Sequence, residues 1–164
     1  MKTNNILCGL FCLLLAGLAL ADTKPNFSGN WVLDKDRSNG KQPGFDQTIS
    51  VKHTGDQLTL ETKQKTARGE VAFSESYAFD GKEMDVEPQG MPPGAKAKRS
   101  SSWLPNGRGI LIRDTMTSAD GKPMRTTTRK WQLSADGNTL TIDYYIDDPQ
   151  RGEFEMKRVF NKAP

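Results

Sequence analysis

The sequence predicts an all-β fold, an up-and-down antiparallel meander closed into a barrel of about 8–10 strands. Three observations lead there. Short segments of alternating apolar and polar residues recur along most of the chain, the period of a strand with one buried face. They are separated by tight-turn chemistry at Thr54-Gly55-Asp56, Asp80-Gly81-Lys82, Pro105-Asn106-Gly107, Ala119-Asp120-Gly121 and Ala135-Asp136-Gly137. Asp-Gly and Asn-Gly supply the positive φ that a hairpin needs. Beyond the N-terminal apolar run, no stretch carries useful helical amphipathicity.

The elements follow in order. Asn30–Asp34 opens the sheet, followed by a connection from Lys35 to Phe45. Gln47–His53, Gln57–Lys63 and Glu70–Phe79 come next, then Glu83–Val86, which leads into the Pro/Gly-rich segment Glu87–Gly94. A loop of that composition is suited to the border of a barrel mouth and to gating a ligand. Lys96–Leu104, Gly109–Thr117, Met124–Leu133, Thr139–Ile146 and Glu153–Asn161 complete the series. Consecutive strands joined by short turns pair as neighbours, and closure removes the exposed edges such a sheet would otherwise leave.

Residues 1–21 read as a signal peptide: Lys2 provides the positive start, Ile6 to Leu20 the apolar run, and Ala19-Leu20-Ala21 a small-x-small cleavage site before Asp22. The run is short for a membrane span, so no stable membrane insertion is expected after cleavage. A single domain is expected over 22–164, in a protein exported to the periplasm or secreted. Both cysteines, Cys8 and Cys12, lie in the leader, so the mature chain has no disulfide, thiol nucleophile or cysteine metal ligand. Burial alone must then hold the fold. Of 23 Lys and Arg against 20 Asp and Glu, cleavage removes Lys2 and leaves 22 against 20, interspersed and without a basic arm. No nucleic-acid partner is expected despite a pI near 8.9. Asn26-Phe27-Ser28 has the form of a glycosylation sequon, which chance accounts for if the source is bacterial.

Alternation assigns faces, because every second residue of a strand shares a side. In the last strand Phe154, Met156, Arg158 and Phe160 share one face, so Arg158 is expected to point inward. The same parity turns Arg125, Thr127, Arg129, Trp131 and Leu133 inward, with Glu75 and Tyr77 beside Val71, Phe73 and Phe79. It groups Asp114 with Ile110 and Ile112, Tyr144 with Leu140 and Ile142, and Arg99 and Ser101 with Trp103. A solid core would not hold this many charges. A cavity with apolar walls and a few polar anchors would. The expected lumen residues are therefore Glu75, Tyr77, Arg99, Trp103, Asp114, Arg125, Arg129 and Tyr144.

Phe27-Ser28-Gly29-Asn30-Trp31-Val32-Leu33, the meander and Arg158 in the last strand resemble the calycin superfamily of lipocalins and fatty-acid-binding proteins. With the hairpin Trp131-Gln-Leu133-Ser-Ala-Asp-Gly137-Asn-Thr-Leu140-Thr, the chain resembles most closely the bacterial secreted lipocalin-like proteins. The resemblance implies a lipocalin-like barrel whose floor is built by Gly29 and Trp31, with Arg158 packed across the indole. A guanidinium so stacked gains about 0.5–2 kcal/mol. The chain departs from the pattern in lacking the later Thr-Asp-Tyr of lipocalins. It also lacks the Arg-x-Tyr of fatty-acid-binding proteins, having Arg158-Val-Phe160 instead, and two helices at the mouth.

The expected function is binding of a small apolar or amphiphilic ligand in the lumen. Several arginines against Glu75 and Asp114 suit an anionic head group, because the planar fork of Arg binds two oxygens. The alternative is a structural or interaction barrel whose interior charges pair with one another. Enzyme chemistry is not expected. His53 is the one histidine and is expected at the surface or rim, no catalytic triad or metal cluster can be assembled, and no cofactor is implied. Glu75 could act as a general base only if burial raised its pKa, which nearby arginines oppose. A monomer is expected.

Overall fold

The computed structural model describes residues 24–39, 44–88 and 91–164. The expected signal peptide and its two cysteines lie outside the described residues. Ten strands form: β1 (Gly29–Asp34), β2 (Asp46–Thr54), β3 (Gln57–Thr66), β4 (Gly69–Ala78), β5 (Asp80–Val86), β6 (Lys96–Trp103), β7 (Gly109–Thr117), β8 (Pro123–Leu133), β9 (Thr139–Asp148) and β10 (Gly152–Lys162). All pairings are antiparallel and the sheet order is β4-β3-β2-β1-β10-β9-β8-β7-β6-β5. The meander is thus nearly closed. β1 pairs with β10 to join the chain's two ends, and the one unpaired seam lies between the edge strands β4 and β5.

The strands form where the sequence alternates, and each Gly-containing turn brings the chain back at once. Gly55, Gly81, Gly107, Gly121 and Gly137 all have positive φ, the conformation for which their turns select glycine. Gly109 is needed for a different reason. A Cβ there would lie 2.4 Å from the Trp131 carbonyl oxygen, so only glycine lets β7 approach β8 this closely.

The barrel has two unlike ends. At the closed end, Phe27, Trp31, Phe79, Trp131, Leu140 and Phe160 are buried in one apolar cluster, with Trp103 packed against it. The Phe79 and Trp103 rings meet edge to face at 5.1 Å, and Phe27 meets Trp131 the same way at 6.2 Å. His53 belongs to this cluster as well, 5.6 Å from both Phe79 and Trp103. It is half-buried beside the β2–β3 turn, at the rim position expected of it. The Phe27 N–H donates to His53 Nδ1, which leaves Nε2 to carry the proton and donate to the Gly55 carbonyl at 3.0 Å. His53 is therefore a neutral structural tie between the entry segment and the β2–β3 turn.

The floor also differs from the expected Trp31–Arg158 stack. Register pairs Trp31 with Lys162, and the Lys162 ammonium lies 5.6 Å from the Trp31 ring. Arg158 sits four residues back along β10, about 13 Å away at the rise of a strand, and cannot reach the indole. Gly29, with φ of 146°, makes room for this arrangement, because a Cβ would come within 3.0 Å of the Lys162 side chain. The Trp31 indole N–H donates to the Phe27 carbonyl at 3.1 Å, which satisfies the one polar group of a fully buried side chain.

Candidate functional site

A cavity of about 690 Å³ occupies the other half of the barrel, within the range of small-molecule sites. Its walls come from β2 through β10. Ile49, Leu60, Phe73, Met84, Val86, Ala97 and Met116 supply apolar surface, while Glu75, Arg99, Asp114, Arg125, Arg129, Tyr144 and Arg158 supply charge or a hydroxyl. Glu87 and Pro88 of the Pro/Gly-rich loop also line it; residues 89–90 of that loop lie outside the described residues.

Six of the eight residues expected in the lumen line this cavity: Glu75, Arg99, Asp114, Arg125, Arg129 and Tyr144. The other two need correction. Trp103 sits at the closed end, where its indole N–H donates to Asp56 Oδ1 at 2.8 Å and the Lys24 ammonium lies 4.6 Å from its ring. Parity turned it to the right face, but it is the last residue of β6 and lies below the cavity. Tyr77 is buried one step beneath the cavity wall, 1% exposed.

The charges on the cavity floor neutralise one another. Arg99 Nε donates to Asp114 Oδ1 at 2.5 Å and Arg99 Nη2 to Glu75 Oε1 at 2.6 Å. Arg129 Nη2 donates to Asp114 Oδ2 at 2.6 Å, and Arg129 Nη1 reaches Glu75 Oε2 at 3.3 Å and the Tyr77 hydroxyl at 3.1 Å. Each carboxylate therefore bridges both guanidiniums in a square of alternating charge. Tyr77 lies below as a platform, its ring 4.8 Å from the Arg99 guanidinium and 5.5 Å from that of Arg129. Such an arrangement satisfies the condition for burying ions, since paired and hydrogen-bonded charges offset much of their desolvation. Burial drives the Tyr77 hydroxyl far above its ordinary pKa, so it stays protonated.

The square also fastens the barrel. Register makes Arg99 and Asp114 direct cross-strand partners on β6 and β7. Glu75, by contrast, projects from edge strand β4 across the seam to β6 and β8. Lower down, the Ser101 hydroxyl donates across the seam to the Ala78 carbonyl at 2.8 Å.

Burial alone would raise the Glu75 carboxyl, but the pull of Arg129 and Arg99 outweighs it and holds the group below its ordinary 4.5. His53 is lowered from 6.5, chiefly by burial, against the opposing bond to Gly55. Both folded values lie below the unfolded ones, so the unfolded chain takes up protons first and acid destabilises. Stability is expected to fall in two steps on acidification from about pH 8 to about pH 3. The first begins near 6.5 through His53 and the second near 4.5 through Glu75, each continuing to the folded value. Urea midpoints measured across this range check it. The upper step should vanish in His53→Gln and the lower should shrink in Glu75→Gln; steps unchanged by both substitutions contradict the assignment.

The remaining two cavity arginines differ in their partners. Arg125 reaches Asp148 Oδ2 at 3.3 Å. Asp148 is 6% exposed and continues the inward set of Tyr144 and Ile146, a role that parity would have found had β9 been extended past Ile146. Arg158 pairs with no carboxylate among the described residues. It donates to Gln47 Oε1 and lies between two rings, 4.7 Å from Phe45 and 5.5 Å from Tyr144. Three buried donors on cavity-lining residues, Arg125 Nε, Arg129 Nε and Trp131 Nε1, reach no protein acceptor. Those three atoms lie out of reach beneath the wall, so the cation that the cavity offers without a carboxylate partner among the described residues is Arg158. Among the described residues, no group of His, Cys, Asp and Glu is arranged to hold a metal ion.

No family model matches the chain, and no curated protein matches it. Among solved structures, it is similar in fold to secretory abundant heat soluble protein 4 from Ramazzottius varieornatus. The two have a TM-score of 0.49 and 11% sequence identity over 87% of this chain and 97% of that one.

Proposed function

We propose that this protein is an exported, non-catalytic lipocalin-like barrel that binds a small amphiphilic anion in its cavity. The observation that carries the reading is Arg158, a cation in the cavity wall without a carboxylate partner among the described residues. A carboxylate or similar head group supplies the paired oxygens that this guanidinium lacks. The apolar part of the ligand gains about 25 cal/mol per Å² buried against Ile49, Leu60, Phe73 and Met116. The mechanism is equilibrium binding, with Phe45 and Tyr144 holding the guanidinium of Arg158 in place. The head-group anchor thus falls on Arg158, because the square of Glu75, Arg99, Asp114 and Arg129 is already neutral.

Titration with cis-parinaric acid, a fluorescent polyene carboxylate, tests this. Arg158→Met is expected to weaken binding by about 10- to 100-fold, the range for a lost charge-assisted contact. Binding of the methyl ester should change far less. Equal losses for acid and ester would remove Arg158 as the anchor. The neutral square specifically favours a second reading, a barrel whose ionic interior serves stability alone, and no binding of either probe to the wild-type protein would establish it.

A further inference from the structure

The seam between β4 and β5 has no backbone ladder, so something else must keep the barrel shut. Side chains do so, and they are confined to its lower half. Glu75 spans the seam to Arg99 at 2.6 Å and to Arg129 at 3.3 Å, Tyr77 accepts from Arg129, and Ser101 donates to the Ala78 carbonyl. Toward the mouth, from Gly69 to Ser74, no hydrogen bond among the described residues crosses from β4 to the opposite edge. That stretch is bordered instead by Phe73 on β4 and by Met84 and Val86 on β5, three apolar side chains that also line the cavity. Met84 is 46% exposed although its flexible chain reaches the interior. The upper seam is therefore an apolar slot that leads directly onto the ion square.

Losing Glu75 would leave the square with a defined remainder. Asp114 would still bridge Arg99 and Arg129, so β6, β7 and β8 stay joined while β4 loses its strongest tie to them. β4 would keep its ladder with β3 and, across the seam, only the neutral bonds of Tyr77 and Ala78 at its lower end. The charge-assisted bonds of one carboxylate thus set how often this edge opens.

We propose that Glu75 is the latch of a seam portal: β4 is the opening edge of the barrel, and ligand enters the cavity between β4 and β5 past Phe73 and Met84. The portal rests on the reading of the cavity as a ligand site, whereas the latch does not. The two parts separate experimentally.

Glu75→Gln keeps the side-chain shape but removes its charge and one acceptor oxygen. Amide hydrogen exchange of the whole folded protein is expected to speed up along β4, on the order of tenfold, while β9 and β10 stay protected; that is the shift in opening from one lost charge-assisted hydrogen bond. Stopped-flow mixing with the methyl ester of cis-parinaric acid, a neutral probe that avoids confusion with the altered charge, is expected to show association and dissociation both faster by a similar factor. The dissociation constant should move little. Ser101→Ala alters the seam without altering charge and serves as the second variant, expected to change both readouts in the same direction by less.

Unchanged β4 exchange in both variants overturns the latch. Faster β4 exchange with unchanged probe kinetics overturns the portal and leaves the latch standing. A wild-type protein that binds no probe removes the ligand reading and the portal with it, while the exchange data still decide the latch.

Discussion

Replacing Asp114 with Asn should destabilise the protein by about 3–5 kcal/mol, the usual cost of removing one partner from a buried ionic group. The size follows from what remains. Arg99 and Arg129 would share Glu75 alone, leaving a net positive charge on side chains about 10% exposed. Neither arginine can relieve this by deprotonating, because a guanidinium stays protonated in a protein. The urea midpoint measures the loss. A double variant, Asp114→Asn with Arg129→Met, restores one charge of each sign and should be more stable than the sum of its single changes predicts. Simple additivity would mean that the four charges act independently and would contradict the alternating square.

Trp31→Ala should cost a similar amount, about 3–5 kcal/mol, for a different reason. Trp31 is fully buried, and its removal opens a cavity at the point where β1 closes the barrel between β2 and β10. Its indole bond to the Phe27 carbonyl is also lost, which loosens the entry segment held by His53 and Ser28. Lys162→Met serves as the control. It removes only the charge above the ring, worth about 0.5–1 kcal/mol at a solvated site. Thermal or urea unfolding that ranked the two variants equally would show that the cation, and not the packing, holds the floor.

The two predictions bear on opposite ends of one barrel, and they explain why it can hold an open cavity. The aromatic floor supplies a compact apolar core, and the ion square braces the lumen just above it across the seam. With both in place, the mouth half needs no side-chain filling. Arg158, without a carboxylate partner among the described residues, and the apolar slot by Met84 both border the cavity, where the proposed binding would take place.

Much of this was legible in the alternation of residues. A period of two assigns a face, and the apolar members of β8, β9 and β10 identified which face was inward. Arg99, Asp114, Arg125, Arg129 and Tyr144 could therefore be placed on the cavity side before any pairing was known. Glu75 followed because Tyr77 and Phe79 share its parity. The ten strands were legible for the same reason, reinforced by Asp-Gly and Asn-Gly at their turns.

Parity, however, says nothing about height along the barrel. Trp103 faces inward and still misses the cavity, because it ends β6 at the closed end. Arg158 also faces inward, but the register of β10 on β1 brings Lys162 to Trp31 and carries Arg158 up to Phe45 and Tyr144. Lys162 lies one residue past Asn161, where the alternation of the last strand ends. Most of all, no local pattern says that Glu75 meets Arg99 and Arg129. Glu75 and Arg129 are separated by 54 residues and meet only because the sheet curls until its edges face each other.

The sequence by itself determined that this is an up-and-down meander of about 8–10 strands with charge on its inner face, since turn chemistry and alternation are local properties that each segment carries alone. Only the tertiary structure decided which of those charges cancel and which one is left over. Pairing of charges depends on distances across strands, and those are set by register and closure of the whole sheet.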